Sequence, residues 1–250
     1  FHVLFFKYLF IKVPMPNKKY ISGNSDTKSD FFVEFIPAKS GGIKISIQSD
    51  TETLHGTKLN HVTNQALTAL GIKNGKLSII DNGGQYLVLQ ARIEAVIKSM
   101  NPKEKRQSLS DFKVHSKYKS SRQRSRRSRL YIPGNQVKLM LNAGIHKPDA
   151  IILDLEDSVA PLDKLSARLI VRNALRTLDF FGAERMVRIN QGSDGLNDLE
   201  AVIPHNVHLI LVPKVEEPDQ LREIDEIIQS ICNKCERKDP VYLMPILESA

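Results

Sequence analysis

The sequence predicts two joined units: a small α+β domain, then an incomplete α/β barrel of the TIM type. Three observations carry this. The 250 residues exceed the roughly 100–200 of an ordinary domain. A basic, polar stretch with no apolar periodicity runs over 98–128. After it, apolar strand-like runs alternate with amphipathic helical patterns, as in a parallel sheet covered by helices.

Residues 1–14 begin with Phe1 and are apolar and aromatic through Val13. The run is shorter than the ~20 residues of a membrane helix and lacks the flanks of a signal peptide. It reads as a non-native extension, with Met15 as the expected start.

The first unit is expected over 15–97. Phe31–Ile36 and Ile43–Ile47 read as strands, with a turn at Pro37 and Gly41-Gly42. Leu59, Val62, Ala66, Leu67 and Leu70 share one helical face, and Gly71 stops that helix. Leu77–Ile80 is a third strand. Asp81-Asn82-Gly83-Gly84 reads as a hairpin-type turn, with Tyr86–Val96 returning as strand or helix.

Residues 98–128 are expected to be a flexible basic linker. The formal charge is +8, but Lys98–Arg129 holds twelve basic residues against two acids. That stretch is +10 and the remainder −2. The charge marks a junction, so no nucleic acid and no membrane is expected as partner. The competing reading is a non-enzymatic basic protein gripping an acidic partner. The stretch offers only Phe112 and Tyr118 for base stacking.

Residues 129–250 are expected to hold five strands: 129–133, 150–156, 186–190, 208–214 and 241–247. Helical patterns fill 135–143, 163–178, 196–204 and 217–232. Five strands against a barrel's eight predict a barrel truncated at its C-terminus. Polar residues gather at the strand C-terminal ends: Asp154, Glu156, Asp157, Arg188, Asn190, Lys214 and Glu248. In a barrel that end is the active rim. Hard oxygen donors favour Mg²⁺, and an arginine fork suits a carboxylate. The bottom-up expectation is metal-assisted C–C bond chemistry on an anionic acid.

Two cysteines, Cys232 and Cys235, form a lone C-x-x-C, which argues against a zinc site. One buried and one exposed thiol is expected. The seven histidines show no ligand spacing.

The motifs carry a resemblance. Arg129-Leu-Tyr-Ile-Pro-Gly-Asn135, Asp149–Pro161, Val187-Arg-Ile-Asn190, Gly195–Glu200, Val212-Pro-Lys214 and Ile246–Ala250 occur in order. They resemble the citrate lyase beta subunit, a citryl-CoA lyase of the HpcH/HpaI aldolase superfamily, over about its first half. Asp30, Pro37, Gly42-Ile43, Gly56, Ala66–Gly71, Asp81–Gly83 and Val88–Ala95 resemble the citrate lyase gamma subunit, an acyl carrier protein.

The resemblance implies a cytoplasmic citrate lyase component, a fusion or read-through of neighbouring genes. It implies a citryl thioester cleaved to oxaloacetate and an acetyl thioester with Mg²⁺. The implied partners are an alpha subunit and other beta and gamma chains. Arg188 falls on the substrate-binding arginine, and Glu248 on the glutamate that binds Mg²⁺ and touches substrate. Asp154, Glu156 and Asp157 fall on an acidic motif supporting the metal. For Asp157 a helix N-cap is the alternative. A phosphoribosyl-dephospho-CoA group is implied on a carrier serine. The matching position holds Lys28, Thr27 replaces a glutamate, and Ser29 is the candidate. A malyl-CoA-like lyase acting on free CoA esters is the enzymatic alternative. The chain is expected not to complete the cleavage alone.

Overall fold

A computed structural model describes residues 18–49 and 52–248, without the side chains of 52–55. The extension read over 1–14, and Met15, lie outside the described residues.

The first unit is a four-stranded sheet under two helices. Its strands are β1 (Tyr20–Ser22), β2 (Phe31–Pro37), β3 (Ile43–Ser49) and β4 (Gly75–Asp81). Its helices are α1 (Glu52–Ala69) and α2 (Tyr86–Met100). Phe31, Val33 and Phe35 alternate inward along β2, as period-2 side chains must when one face is covered. The strand order is β1-β2-β4-β3, with β3 and β4 parallel across α1 and the other pairs antiparallel. The expected helix over 59–70 starts earlier, at Glu52.

The Asp81–Gly84 turn is not a hairpin. It leads from β4 into α2, and the Asp81 carboxylate accepts the N–H groups of Gly83 at 2.9 Å and Gly84 at 3.2 Å. Tyr86 onward is therefore helix, not strand.

The second unit is a five-stranded parallel sheet: β5 (Arg129–Pro133), β6 (Ala150–Asp154), β7 (Glu184–Arg188), β8 (Leu209–Val212) and β9 (Tyr242–Pro245). They lie in sequence order. Helices α3 (Val137–Ala143), α4 (Lys164–Thr177), α5 (Gly192–Val202) and α6 (Pro218–Lys234) fill the crossovers. They pack on one face of the sheet, against Ile151, Leu153, Val187, Ile210 and Val212. The other face carries Ile152, Met186, Leu209, Leu211, Tyr242 and Met244. This sheet is strongly curved. Five flat strands would set β5 and β9 about 19 Å apart. Yet Arg129 Nη1 on β5 lies 3.3 Å from Met244 Sδ on β9. The described strands form an open curved sheet.

The segment read as a flexible linker is tied down along its length. Ser108 N–H donates to Glu94 Oε2 at 2.7 Å, and Ser110 Oγ to Gln90 Oε1 at 2.5 Å. Ser116 Oγ donates to Arg176 O at 2.9 Å, and Tyr118 OH to Ala183 O at 2.7 Å. Arg126 pairs with the buried Glu184 at 2.5 Å. Part of the +10 is thereby neutralised inside the fold.

The two units share one core through α2 and α4. Ten residues of α2 are buried, Arg92 and Glu94 among them. Two residues apart, these charges point to opposite sides of the helix. Arg92 meets Asp30 at 2.6 Å within the first unit. Glu94 meets Arg172 of α4 at 2.9 Å, with both side chains buried.

Candidate active site

The site lies beyond the C-terminal ends of β6, β7 and β8. Adjacent parallel strands place Asp154 beside Arg188 in register. Tight approach sets the depth of this end. Gly134 N–H donates to Asp154 O at 2.7 Å, and a Cβ on Gly134 would stand 2.8 Å from that oxygen. Gly195 of α5 sits against the end of β7, where a Cβ would come within 2.2 Å of Asn190 O. Only a residue without a side chain fits either place.

Arg188 is the centre. Its Nε and Nη2 each donate to the Asp154 carboxylate at 2.7 Å. Nη1 faces Glu156 at 3.1 Å and Asp157 at 3.7 Å. Glu156 is bridged in turn by Lys214 Nζ at 2.7 Å, which also faces Asp157 at 3.6 Å. Tyr131 carries its ring 5.5 Å from the guanidinium. The cluster is therefore a chain of alternating charge, from Asp154 to Lys214.

The protonation states follow from these contacts. Burial alone would raise Asp154. The Arg188 hydrogen bond, with those from Ser158 and the Glu156 N–H, outweighs it and holds the carboxyl below its usual range. The same bond, opposed by burial, holds Arg188 above its ordinary value. The Glu156 hydrogen bond raises Lys214. All three groups are charged at neutral pH.

Two neighbours fix the frame. Asp198 of α5 accepts from the Asn190 N–H and Nδ2, both at 2.8 Å, and pairs with Arg168 at 2.6 Å. Asn190 is thus committed to holding the loop after β7. Lys164 Nζ donates to Leu155 O at 2.8 Å and to Glu156 O, which pins the loop after β6.

The structure brings Arg188, Asp154, Glu156 and Asp157 together. Asp157 is not a helix cap: α4 begins at Lys164 and its N-cap residue is Asp163. Glu248 is exposed near Lys214, with no hydrogen bond among the described residues. Ser29 is elsewhere. Its N–H donates to Asn82 O at 2.9 Å and its backbone is left-handed (φ 62°). It precedes Asp30, whose partner Arg92 faces away from α4. Cys232 is buried and Cys235 exposed, as the spacing suggested.

Sequence reasoning did not assign Lys214 a role. Its signal was present in Val-Pro-Lys at a strand end, but not its left-handed backbone (φ 52°) or its bridge to Glu156. Tyr131 gave no signal beyond strand periodicity.

The described residues do not fit a magnesium ion by themselves. Among them no group of three or more His, Cys, Asp or Glu is placed to hold a metal. Mg²⁺ demands near-octahedral oxygen ligation, while Asp154 and Glu156 are engaged by cations. Of the cluster's carboxylates and Glu248 beside them, Asp157 and Glu248 accept no hydrogen bond among the described residues, and Asp157 still faces Arg188 at 3.7 Å and Lys214 at 3.6 Å. Among the described residues no helix is long and apolar enough to cross a membrane.

Comparison with known proteins agrees with the two-unit reading. Residues 127–250 match the family model described as HpcH/HpaI aldolase/citrate lyase. Residues 18–100 match an acyl-carrier model described as malonate decarboxylase delta subunit. The two matches fall on separate parts of the chain, and the second description differs from the citrate lyase gamma subunit that the motifs suggested. The citrate lyase subunit beta of Haemophilus influenzae is 38% identical over 115 residues, 45% of this chain and 40% of that protein. The mitochondrial citramalyl-CoA lyase of Mus musculus is 35% identical over 129 residues, 50% of this chain and 38% of that protein. The (3S)-malyl-CoA thioesterase of Cereibacter sphaeroides is 38% identical over 108 residues, 42% of this chain and 38% of that protein. The chain spans about two fifths of the length of these relatives. A solved citrate lyase beta subunit from M. tuberculosis, complexed with oxaloacetate and magnesium, aligns at 28% identity. It covers 50% of each chain with a TM-score of 0.37.

Proposed function

We propose that this chain is a carrier–lyase fusion whose second domain supplies the first five strands of a TIM-type barrel and acts in carbon–carbon bond cleavage. The substrate is a 3-hydroxy-3-carboxyacyl thioester, with citryl the preferred acyl group. In that reaction the 3-hydroxyl loses its proton and the C2–C3 bond breaks. The C3 fragment leaves as oxaloacetate, and the thioester enolate takes a proton to become an acetyl thioester.

The observation that carries the reading is the Arg188 clamp. Asp154 fixes the guanidinium plane through two hydrogen bonds. Nη1 is left to weaker pairs with Glu156 and Asp157. A substrate carboxylate competes for Nη1 while the plane stays fixed, which is preorganisation for an anion. Lys214 draws Glu156 in the other direction and so opens that edge of the arginine. Glu248 stands beside Lys214 as a carboxylate open to a cation. Mg²⁺ is part of the proposed chemistry, with further ligands needed from outside the described residues. The carrier's place is to present the acyl thioester from a phosphoribosyl-dephospho-CoA group on Ser29. An alpha subunit and other beta- and gamma-type chains are the proposed partners.

The relatives named citramalyl-CoA lyase and malyl-CoA thioesterase support a second reading, in which a free CoA ester is the substrate. Intact mass after co-expression with the attachment enzymes separates the two. The carrier reading expects an added prosthetic mass that vanishes in Ser29→Ala.

The site itself is tested by titrating oxaloacetate into the full chain. Arg188→Gln should weaken binding roughly tenfold or more, the effect of losing a charged hydrogen bond of about 1.5–3 kcal/mol. Equal affinity in wild type and variant refutes the assignment.

A further inference from the structure

Two kinds of buried or half-buried arginine occur in this fold. Arg92, Arg168, Arg172 and Arg188 each meet a carboxylate within 2.9 Å. Arg176, Arg185 and Arg237 meet none among the described residues, and Arg176 is taken up by Ser110 O and by His205 Nδ1 at 2.9 Å. Arg185 donates to Ser116 O and, at 3.0 Å, to Tyr118 O. Arg237 donates to Asp239 O at 3.0 Å and to Ile203 O and Val207 O at 2.5 Å. Carbonyl partners satisfy some of the N–H groups but leave the positive charge unbalanced. Arg185 is only 1% exposed, and its Nε has no hydrogen-bond partner among the described residues. A buried donor left open costs about 1–3 kcal/mol and calls for an explanation.

Both arginines line one cavity of about 310 Å³, with Lys119, Lys238, Asn206 and Asp239. It opens at the N-terminal ends of β7, β8 and β9. Arg185 and Arg188 are three residues apart on β7, so this cavity lies at the opposite end of the sheet from the Arg188 clamp. Its one acid, Asp239, is taken by Lys119 at 2.7 Å. Four cations therefore face one anion. The Tyr118 ring lies 4.0 Å from the Arg185 guanidinium carbon and keeps that group in plane. Burial pushes Arg185 down to about 10, aided by repulsion from Arg237, which burial also lowers.

We propose that this cavity binds a compact dianion of the phosphate class, held by Arg185, Arg237 and Lys238. A divalent anion balances the charge excess better than a single carboxylate does. Arginine forks also match phosphate oxygens in pairs. Free phosphate and a small phosphate ester share this chemistry.

The test uses the full chain, titrated separately with inorganic phosphate and with glycerol phosphate at constant ionic strength. Calorimetry and ³¹P line width report binding. Saturable binding in the millimolar range or tighter is expected for at least one probe. Preference for the free ion identifies phosphate itself, and preference for the ester identifies an esterified ligand; both support the site. Lys238 is exposed, so Lys238→Glu tests the charge without disturbing the core. It should weaken binding about tenfold, and Arg237→Gln at least as much. Absence of saturable binding for both probes, or affinity unchanged in Lys238→Glu and Arg237→Gln, overturns the proposal.

Discussion

His205 and His208 show how single residues set the acid limit of this fold. Each is buried against an arginine: His205 Nδ1 lies 2.9 Å from Arg176 Nη1, and His208 Nδ1 accepts the Arg185 N–H at 3.0 Å. Burial, with those arginine charges, pushes His205 down to about 3 and His208 down to about 4. An unfolded histidine titrates near 6.5. Between these values the unfolded chain binds protons that the folded chain refuses, so stability must fall as pH falls from about 6.5 toward 4. The slope is roughly 1.4 kcal/mol per pH unit for each histidine. Urea midpoints at pH 7 and pH 5 measure it. A His205→Gln, His208→Gln chain should lose most of the difference between the two pH values. Asp154 acts in a separate, lower window. Its depressed carboxyl contributes stability above about pH 4, lost only as pH falls through its folded value.

At the scale of elements, legibility followed periodicity and failed where partners are distant. The helices and strands of the second unit were readable because each buries a regular face. The predicted 129–133 matches β5 end to end, and 163–178 differs from α4 by one residue at each end. The Asp81–Gly84 turn was misread because Asn-Gly is also the hairpin signal. What decides it is the Asp81 carboxylate. It accepts two N–H groups ahead of α2 and also the Ser49 hydroxyl at 2.8 Å. Asp81→Ala should therefore cost about 1–2 kcal/mol, and Asp81→Asn less, in urea unfolding. The segment 98–128, whose first three residues belong to α2, was misread for a related reason. Its serines look solvated in sequence, but their partners Glu94, Gln90 and Arg176 lie far along the chain. Of the site, the strand-end charges were legible and their pairing was not. Pairing of Arg188 with Asp154, and of Lys214 with Glu156, depends on strand register and loop conformation.

The whole molecule turns on whether the two units fold as one. Glu94 of α2 is fully buried, and both carboxylate oxygens accept from Arg172 at 2.9 Å. Arg172 also donates to Asn173 Oδ1, and Asn173 Nδ2 donates to Leu87 O at 2.9 Å. Polar groups buried in each unit are thus satisfied in part by the other. Removing one partner of a buried pair leaves a bare charge, which costs about 3–5 kcal/mol, whereas replacing both with apolar residues is often near neutral. Wild type should unfold in one transition, monitored by both β-sheet signal and the tyrosines. Arg172→Ala should lower the urea midpoint steeply and split that transition, because the interface fails before either core. Arg172→Met with Glu94→Leu should recover most of the loss and restore a single transition. If Arg172→Ala instead unfolds like wild type, the units are independent and the ion pair does not couple them. A coupled chain holds the Ser29 loop at a fixed place, on the side of α2 away from α4. Any acyl group on that loop then reaches the Arg188 clamp only through the length of its arm or from another copy, since the domain carrying it does not swing.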